Sequence, residues 1–279
     1  MDSSYISVII FIIITIFYYV LKPALTIEIL QDTKGEAFGA YSKTAYMVLF
    51  VYFLASVLSQ FGVNASIIID NCGGSMVDNI GAAALITFIP WIFIFGALMG
   101  ILIVFPGFKS AFSNVIGYFA VSGQANALLT ELLVNADISK AIDVGSAGDT
   151  KKQLELQSAA DAIIKLCGNM SILINQIVPD NFEQYWKMLT PLMKPAYPTD
   201  IKMKQKLLDL VIMRDNIGEA LWYIYTAILI TSITQYQIVS RGCVEDSATM
   251  EAKHAAFVKG EDAIKAEQKK NSSATYTIG

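Results

Sequence analysis

Four uncharged apolar runs constrain this chain more than any other feature: Tyr5–Leu21, Thr44–Ile69, Ala82–Phe105 and Ala220–Val239. A helix needs roughly 20 apolar residues to cross about 30 Å of hydrocarbon, and each run is close to or above that length. In lipid a helix satisfies its own backbone N–H and C=O groups, which makes such runs tolerable as spans. Helices of a water-soluble core are normally shorter and keep a polar face. The pattern predicts an all-α integral membrane protein with four transmembrane helices, about 5–21, 44–69, 82–105 and 220–239.

The long polar stretch falls between the third and fourth spans. Residues 1–105 therefore read as a membrane region, 106–219 as an inserted soluble helical domain, and 240–279 as a charged helical tail. A composition of 54% hydrophobic and 16% charged residues agrees with four spans. The net charge of −4 and the lack of any basic stripe argue against nucleic acid as a partner. The first run has no Lys or Arg before it and ends Tyr18-Tyr19-Val20-Leu21-Lys22-Pro23 rather than in small residues. It reads as a retained anchor, not a cleaved signal.

Basic residues in short loops set orientation. The Lys22–Lys43 loop carries Lys22, Lys34 and Lys43, whereas the N-terminal tip and the Asp70–Gly81 loop carry no Lys or Arg. The first of these is assigned to the cytosolic side and the other two to the opposite side. Residues 106–219 are then cytosolic. Tyr5, Tyr18, Tyr19, Trp222, Tyr223 and Tyr236 flank the runs, where amphipathic rings favour the headgroup level. Gln60, Asn64 and Gln235 are the most polar residues in or near the spans; they either hydrogen-bond between helices or lie at an interface, and the interface is the preferred reading. Pro90 predicts a kink in the third span.

Between the spans the periodicity is helical. Ala125, Leu128, Leu129, Leu132 and Leu133 share a face, Gly145–Asp149 breaks the chain, and a second helix is expected from Thr150 to about Val178, ended by Pro179. A short helix over Phe182–Leu189 stops before Pro191. Thr199 or Asp200 then caps a helix that continues past Gly218 into the fourth span. The tail from Val244 to Lys270 suits a solvated helix, with a frayed end over Asn271–Thr275.

Catalytic chemistry finds little footing. His254 is the only histidine and lies in the charged tail, away from Cys or carboxylates at ligand spacing. No metal-protease helix, phosphate loop or dinucleotide fingerprint is present. The expectation is a protein with no enzymatic activity, metal or cofactor. The spans carry no charge, the usual mark of an ion or substrate path. Gly96 and Gly100 form a small-xxx-small pair that lets helix backbones approach, either within the chain or in self-association. Cys72 and Cys243 flank spans at the same face in a four-span topology. They make either a disulfide on the oxidising side or two free thiols near one interface. Cys167 reads as an apolar filler of the helical domain. Among the N-x-Ser sequons at Asn64, Asn169 and Asn271, only the last is placed for glycosylation.

After the third run comes Phe105-Pro106-Gly107-Phe108-Lys109-Ser110-Ala111-Phe112-Ser113-Asn114-Val115-Ile116-Gly117-Tyr118. This resembles a motif of membrane proteins from large icosahedral double-stranded DNA viruses, the nucleocytoplasmic group that includes algal and amoebal giant viruses. That pattern runs Phe-Pro-Gly-Trp, then Ser-Pro-Phe-Ser-Asn-Thr-Phe-Gly-Tyr, so Phe108 stands for the Trp and Ala111 for the second Pro. Tyr236, Arg241-Gly242-Cys243 and the helix beyond are also similar.

The resemblance implies a structural virion protein of the inner viral membrane, a minor capsid component linking that membrane to the shell. Its partners would be the lipid bilayer and major and minor capsid proteins, with residence in ER-derived host membrane during assembly. A small oligomeric channel or transporter subunit is the alternative, and a membrane-bound assembly scaffold absent from mature particles is a third reading. Physically, Pro106-Gly107 stops a span sharply, and Phe105, Phe108 and Phe112 suit an interface. Ser113 and Asn114 can satisfy freed backbone groups, and Gly117 admits a close backbone.

Overall fold

A computed structural model describes residues 3–32, 35–72, 76–133, 170–241 and 247–273. Helix α1 covers Ser3–Leu21, α2 Ile27–Gln31 and α3 Glu36–Cys72. The third apolar run is α4 (Met76–Pro90), a π-helical turn (Trp91–Phe95) and α5 (Gly96–Val104). A compact corner follows: a 3₁₀ turn over Pro106–Lys109, the single turn α6 (Ser110–Phe112) and a π-helical turn over Ser113–Gly117. Then come α7 (Tyr118–Leu132), α8 (Met170–Gln176), α9 (Phe182–Leu189), α10 (Ile201–Arg241) and α11 (Ser247–Ser273). Strand-like pairing among the described residues is limited to an isolated bridge between Leu133 and Met193.

Among the described residues three helical segments are long and apolar enough to cross a membrane: Glu36–Cys72, Asn79–Val104 and Ile201–Ser240. The first apolar run is a shorter helix, Tyr5–Leu21. Its parent helix α1 has 19 residues, about 28 Å at 1.5 Å per residue, close to the hydrocarbon thickness. Helices α3 and α10 are far longer than a bilayer needs, with 37 and 41 residues. The second apolar run begins at Thr44, yet α3 starts at Glu36. The Asp32 carboxylate accepts the Ala37 N–H at 3.2 Å, which satisfies one of the orphan donors of the earlier start.

The apolar bundle reverses the polarity of a soluble core. Its outer faces carry exposed Ile9, Ile13, Phe17, Phe50, Leu54, Leu58, Leu85, Phe93 and Ile228. Its interior holds Ser7, Thr15, Ser56, Gln60, Asn64, Thr87, Thr231 and Thr234, all buried. Ser7 Oγ donates to Gln60 Oε1, and Gln60 Nε2 donates back to the Ser7 carbonyl at 2.9 Å. Asn64 Nδ2 donates to Thr87 Oγ1 at 2.9 Å. Gln60 and Asn64 are therefore not interface residues. They sit between helices, where a polar side chain facing lipid would lack a partner and one facing another helix finds it. Gln235 is half-buried.

Aromatic rings complete this interior. Phe11, Trp91 and Phe95 meet at centroid distances of 5.4 to 5.5 Å, and Tyr18 stacks on Tyr52 at 4.6 Å. Tyr5 and Tyr236 are exposed toward the helix ends, but Tyr18 and Tyr223 turn inward. Pro90 lacks the N–H that an α-helix would use, and the chain absorbs the irregularity in the π-helical turn that follows.

The second core belongs to the helical domain. Ile27 and Leu30 of α2, Leu129 and Leu132 of α7, Ile174 of α8, Phe182 and Trp186 of α9, and Leu207, Leu208 and Val211 of α10 form one cluster. The expected face of α7 is buried. The proposed helix from Thr150 is described only from Met170, and Gly145–Asp149 lies outside the described residues. Helix α9 ends at Leu189, before Pro191. Asp200 is the cap of α10, its Oδ1 accepting the N–H groups of Lys202 at 2.9 Å and Met203 at 3.1 Å. Helix α10 then runs unbroken through Gly218 and contributes Tyr223, Ala227 and Ile230 to the bundle core. One helix thus serves both cores. Helix α11 is exposed at residues 251–252 and 254–269 and extends to Ser273, into the segment expected to fray, whose last two residues lie outside the described residues.

Gly218 is where α10 meets the corner. A Cβ there would lie 2.6 Å from the Ser113 Cβ and 2.7 Å from its backbone nitrogen. Replacing Gly218 by Ala should therefore cost about 1–3 kcal/mol through overpacking, despite the better helix propensity of Ala. Gly100 has nothing within 4 Å of such a Cβ, so Gly100→Ala should be neutral or slightly stabilising. Thermal unfolding of both variants in mild detergent checks the contrast.

Candidate functional site

Every apolar run that reaches the domain-facing end of the bundle has a charge just beyond it. Lys22 follows α1, Lys109 lies in the corner after α5, and Glu219 precedes the fourth apolar run on α10. The fold brings the three together. Glu219 is buried, with its Oε2 2.6 Å from Lys109 Nζ and its Oε1 3.5 Å from Lys22 Nζ. The Tyr223 and Tyr18 hydroxyls donate to Oε1 at 3.1 and 3.3 Å. Lys22 also donates to Asn216 Oδ1 at 2.8 Å, and its ammonium stands 5.3 Å from the centroid of the Tyr19 ring.

The two lysines respond differently to the same carboxylate. Burial is the largest single influence on the Lys109 ammonium and works against it, but close-lying Glu219 together with Asp215 and Asp180 outweighs it and holds the pKa above the ordinary lysine value. At Lys22, burial is the larger effect and Glu219, farther away, only partly offsets it, so the pKa falls.

A second buried cation lies one turn up α10. Arg214 donates from Nη1 to the Ile174 carbonyl and from Nη2 to the Ile177 carbonyl at 2.8 Å. It thereby satisfies carbonyls at the end of α8 and ties the helical domain to α10. Its Nη2 also lies 3.6 Å from Asp215.

Above the Glu219 cluster opens a cavity of about 810 Å³. Tyr41, Ala45 and Leu49 of α3 form one wall, and Ile212, Asn216 and Ala220 of α10 form the other. Leu102, Ile103, Pro106 and Lys109 close a third side, and Asp180 and Asp209 lie toward the helical domain. No group of three or more His, Cys, Asp or Glu that could hold a metal ion occurs among the described residues.

The corner motif packs against the same stretch of α10. Phe108 stacks on Trp222 at 4.6 Å, Phe112 meets the Trp222 ring edge-on at 4.8 Å, and Trp222 Nε1 donates to the Phe108 carbonyl at 3.1 Å. Phe105 is exposed, in the non-helical conformation that separates α5 from Pro106 and Gly107. Ser113 is buried against Gly218. The Asn114 carbonyl accepts Asn175 Nδ2 at 3.1 Å. A Cβ on Gly117 would collide with the Arg214 carbonyl oxygen. Tyr118 packs on the core of the helical domain.

The other predicted residues lie elsewhere. A Cβ on Gly96 would lie 3.7 Å from the Phe53 ring of α3, whereas one on Gly100 would face open space. Cys72, at the far end of α3, is in a disulfide. Cys243 and Cys167 lie outside the described residues. Sequence reasoning passed over the Glu219 cluster because each charge sits outside its apolar run and looks like an ordinary flanking residue. Alternation of the spans was the available signal: it puts Lys22, Lys109 and Glu219 at one face.

Glu219→Gln keeps the volume but leaves two largely buried ammonium groups without their counter-charge. A loss of about 3 kcal/mol is expected, the low end for a broken buried pair because both lysines keep some solvent access. Glu219→Leu combined with Lys109→Met should lose less than the two single changes added, which a double-mutant cycle on detergent unfolding reads directly. No family model, curated protein or solved structure matches this chain.

Proposed function

We propose that this chain is a structural membrane protein in which α1, α3, α4–α5 and α10 cross the bilayer and hold the helical domain rigidly on one face. The observation that carries the reading is the polarity of the bundle: large apolar side chains exposed on its outer faces, and buried polar ones inside, of which Ser7, Gln60, Asn64 and Thr87 hydrogen-bond between helices. Lipid is the solvent in which that arrangement is stable. The rigid connection is supported by α10, which runs through both cores, and by Glu219, Lys22 and Lys109 at the junction.

The resemblance of Phe105–Tyr118 supplies the setting: the inner membrane of a large double-stranded DNA virion, with this protein as a minor capsid component between membrane and shell. A membrane-to-shell adapter has to transmit position rather than conduct solute. Polar side chains such as Ser7, Gln60, Asn64 and Thr87 bond across helices, a use that serves packing. The Cys72 disulfide favours an oxidising environment for the far end of α3, and hence a cytosol-derived face for the helical domain.

Quantitative mass spectrometry of purified virions before and after mild detergent tests this reading. Many copies are expected, retained with the shell once lipid is stripped, with cross-links to capsid subunits from exposed Lys187 and Lys202. Release with the lipid would reduce the protein to a membrane-only component. Absence from virions would leave the assembly scaffold.

A further inference from the structure

The cavity over the Glu219 cluster is arranged, from bottom to rim, like one kind of molecule. Its deepest part lies within the second and third apolar runs, where Leu49 and Leu102 line it and exposed Tyr46 and Ile103 stand at its edge. Helices α3 and α5 touch at Phe53 and Gly96. From that level toward the helical domain, Leu49, Ala45 and Tyr41 of α3 and Leu102 and Ile103 of α5 line the wedge. A wedge with apolar walls at this depth is accessible to an acyl chain.

At the next level stand two ammonium groups. Among the described residues Lys109 pairs with Glu219, and Lys22 with Asn216 and the more distant Glu219. Each ammonium has three N–H donors, so donors remain for a further acceptor, and about a fifth of each side chain is still exposed. Farther out the wall becomes acidic, with Asp215, then exposed Asp180 and Asp209. Ten residues of α10 separate Glu219 from Asp209, about 15 Å along the axis.

Apolar wall, then cations, then acids is the complement of acyl chain, phosphate, then ammonium. Resting on the bilayer-spanning reading above, we propose that this cavity binds one zwitterionic phospholipid, its phosphate on Lys22 and Lys109 and its amine toward Asp180 and Asp215. Four carboxylates line the site against two lysines. An anionic headgroup with no positive end would meet the outer acids unpaired, and that is why the zwitterion is selected. The volume of about 810 Å³ lies within the range of small-molecule sites. The bound lipid would contact α3, α5 and α10 at once.

The full chain, purified in mild detergent with an equimolar mixture of phosphatidylethanolamine, phosphatidylcholine and phosphatidylglycerol, provides the test by native mass spectrometry. The expected result is one retained lipid per chain, zwitterionic rather than anionic by at least tenfold. Ala45→Trp, which fills the wedge without touching a charge, should abolish retention while helix content is unchanged. Water-soluble glycerophosphoethanolamine should not displace the lipid. Equal retention of all three lipids, or none, overturns the proposal. So does displacement by the soluble headgroup, which would indicate a phosphate site alone.

A phosphatidylethanolamine with a photoreactive acyl chain gives a second readout that needs no variant. Labelling is expected at Leu49, Leu102 and Ile103, and labelling spread over the outer faces of the bundle would overturn the assignment. If the protein fails to insert into liposomes at all, the membrane reading falls. Insertion without lipid retention removes this inference only.

Discussion

A carboxylate buried at the end of an apolar bundle is the constraint around which the rest of this structure is arranged. Removing Glu219 from water costs several kcal/mol unless its charge and lone pairs are met. They are met by two lysines and two tyrosines drawn from three separate stretches of chain: Tyr18 and Lys22 from α1 and its exit, Lys109 from the corner, Tyr223 from one turn along α10. None of these groups can serve unless α1, the corner and α10 converge at one level. The cluster therefore fixes relative height, which apolar packing alone, being non-directional, would leave free to slide.

Height being set, closeness is set by absence of side chains. Gly117 admits the Arg214 carbonyl and Gly218 admits Ser113, so the corner and α10 exchange glycine contacts one turn apart. That approach seats Phe108 and Phe112 on Trp222 and brings Lys109 within reach of Glu219. The π-helical turn at Ser113–Gly117 widens the helix where the two backbones press together. Arg214, on the next turn, secures the end of α8 to the same helix. Aromatic stacking, backbone contact and ion pairing thus act on one short stretch of α10, from Arg214 to Tyr223.

What was legible in the sequence follows from how local each signal is. The apolar runs, the cap at Asp200, the stop at Pro191 and the continuity of α10 through Gly218 depend on neighbours in the chain, and all are found. The corner was readable as a corner because Pro106 and Gly107 act locally. Long-range pairing was not. Gln60 and Asn64 look like interface residues until Ser7 and Thr87, far off in sequence, are placed beside them. Tyr18 and Tyr223 match a membrane belt by position, and only the location of Glu219 shows why they turn inward. The first apolar run reads as a fourth span in the sequence, but its 17 residues fall at the margin of what a bilayer requires, and the described helix is shorter than the three candidate spans.

The same geometry bears on how an adapter could work. For the helical domain to tilt against the bundle, α10 would have to bend between Arg214 and Tyr223, because residues on either side of that stretch belong to different cores. Bending there would separate Glu219 from Lys22 or Lys109 and pull Trp222 from the Phe108 carbonyl. The resistance is concentrated at the one place where a lever would need a hinge. Under the proposed adapter reading, a displacement of the domain would be passed to the bundle as a whole-body tilt, which a lipid bilayer can accommodate and a protein layer docked on the domain could hold in register.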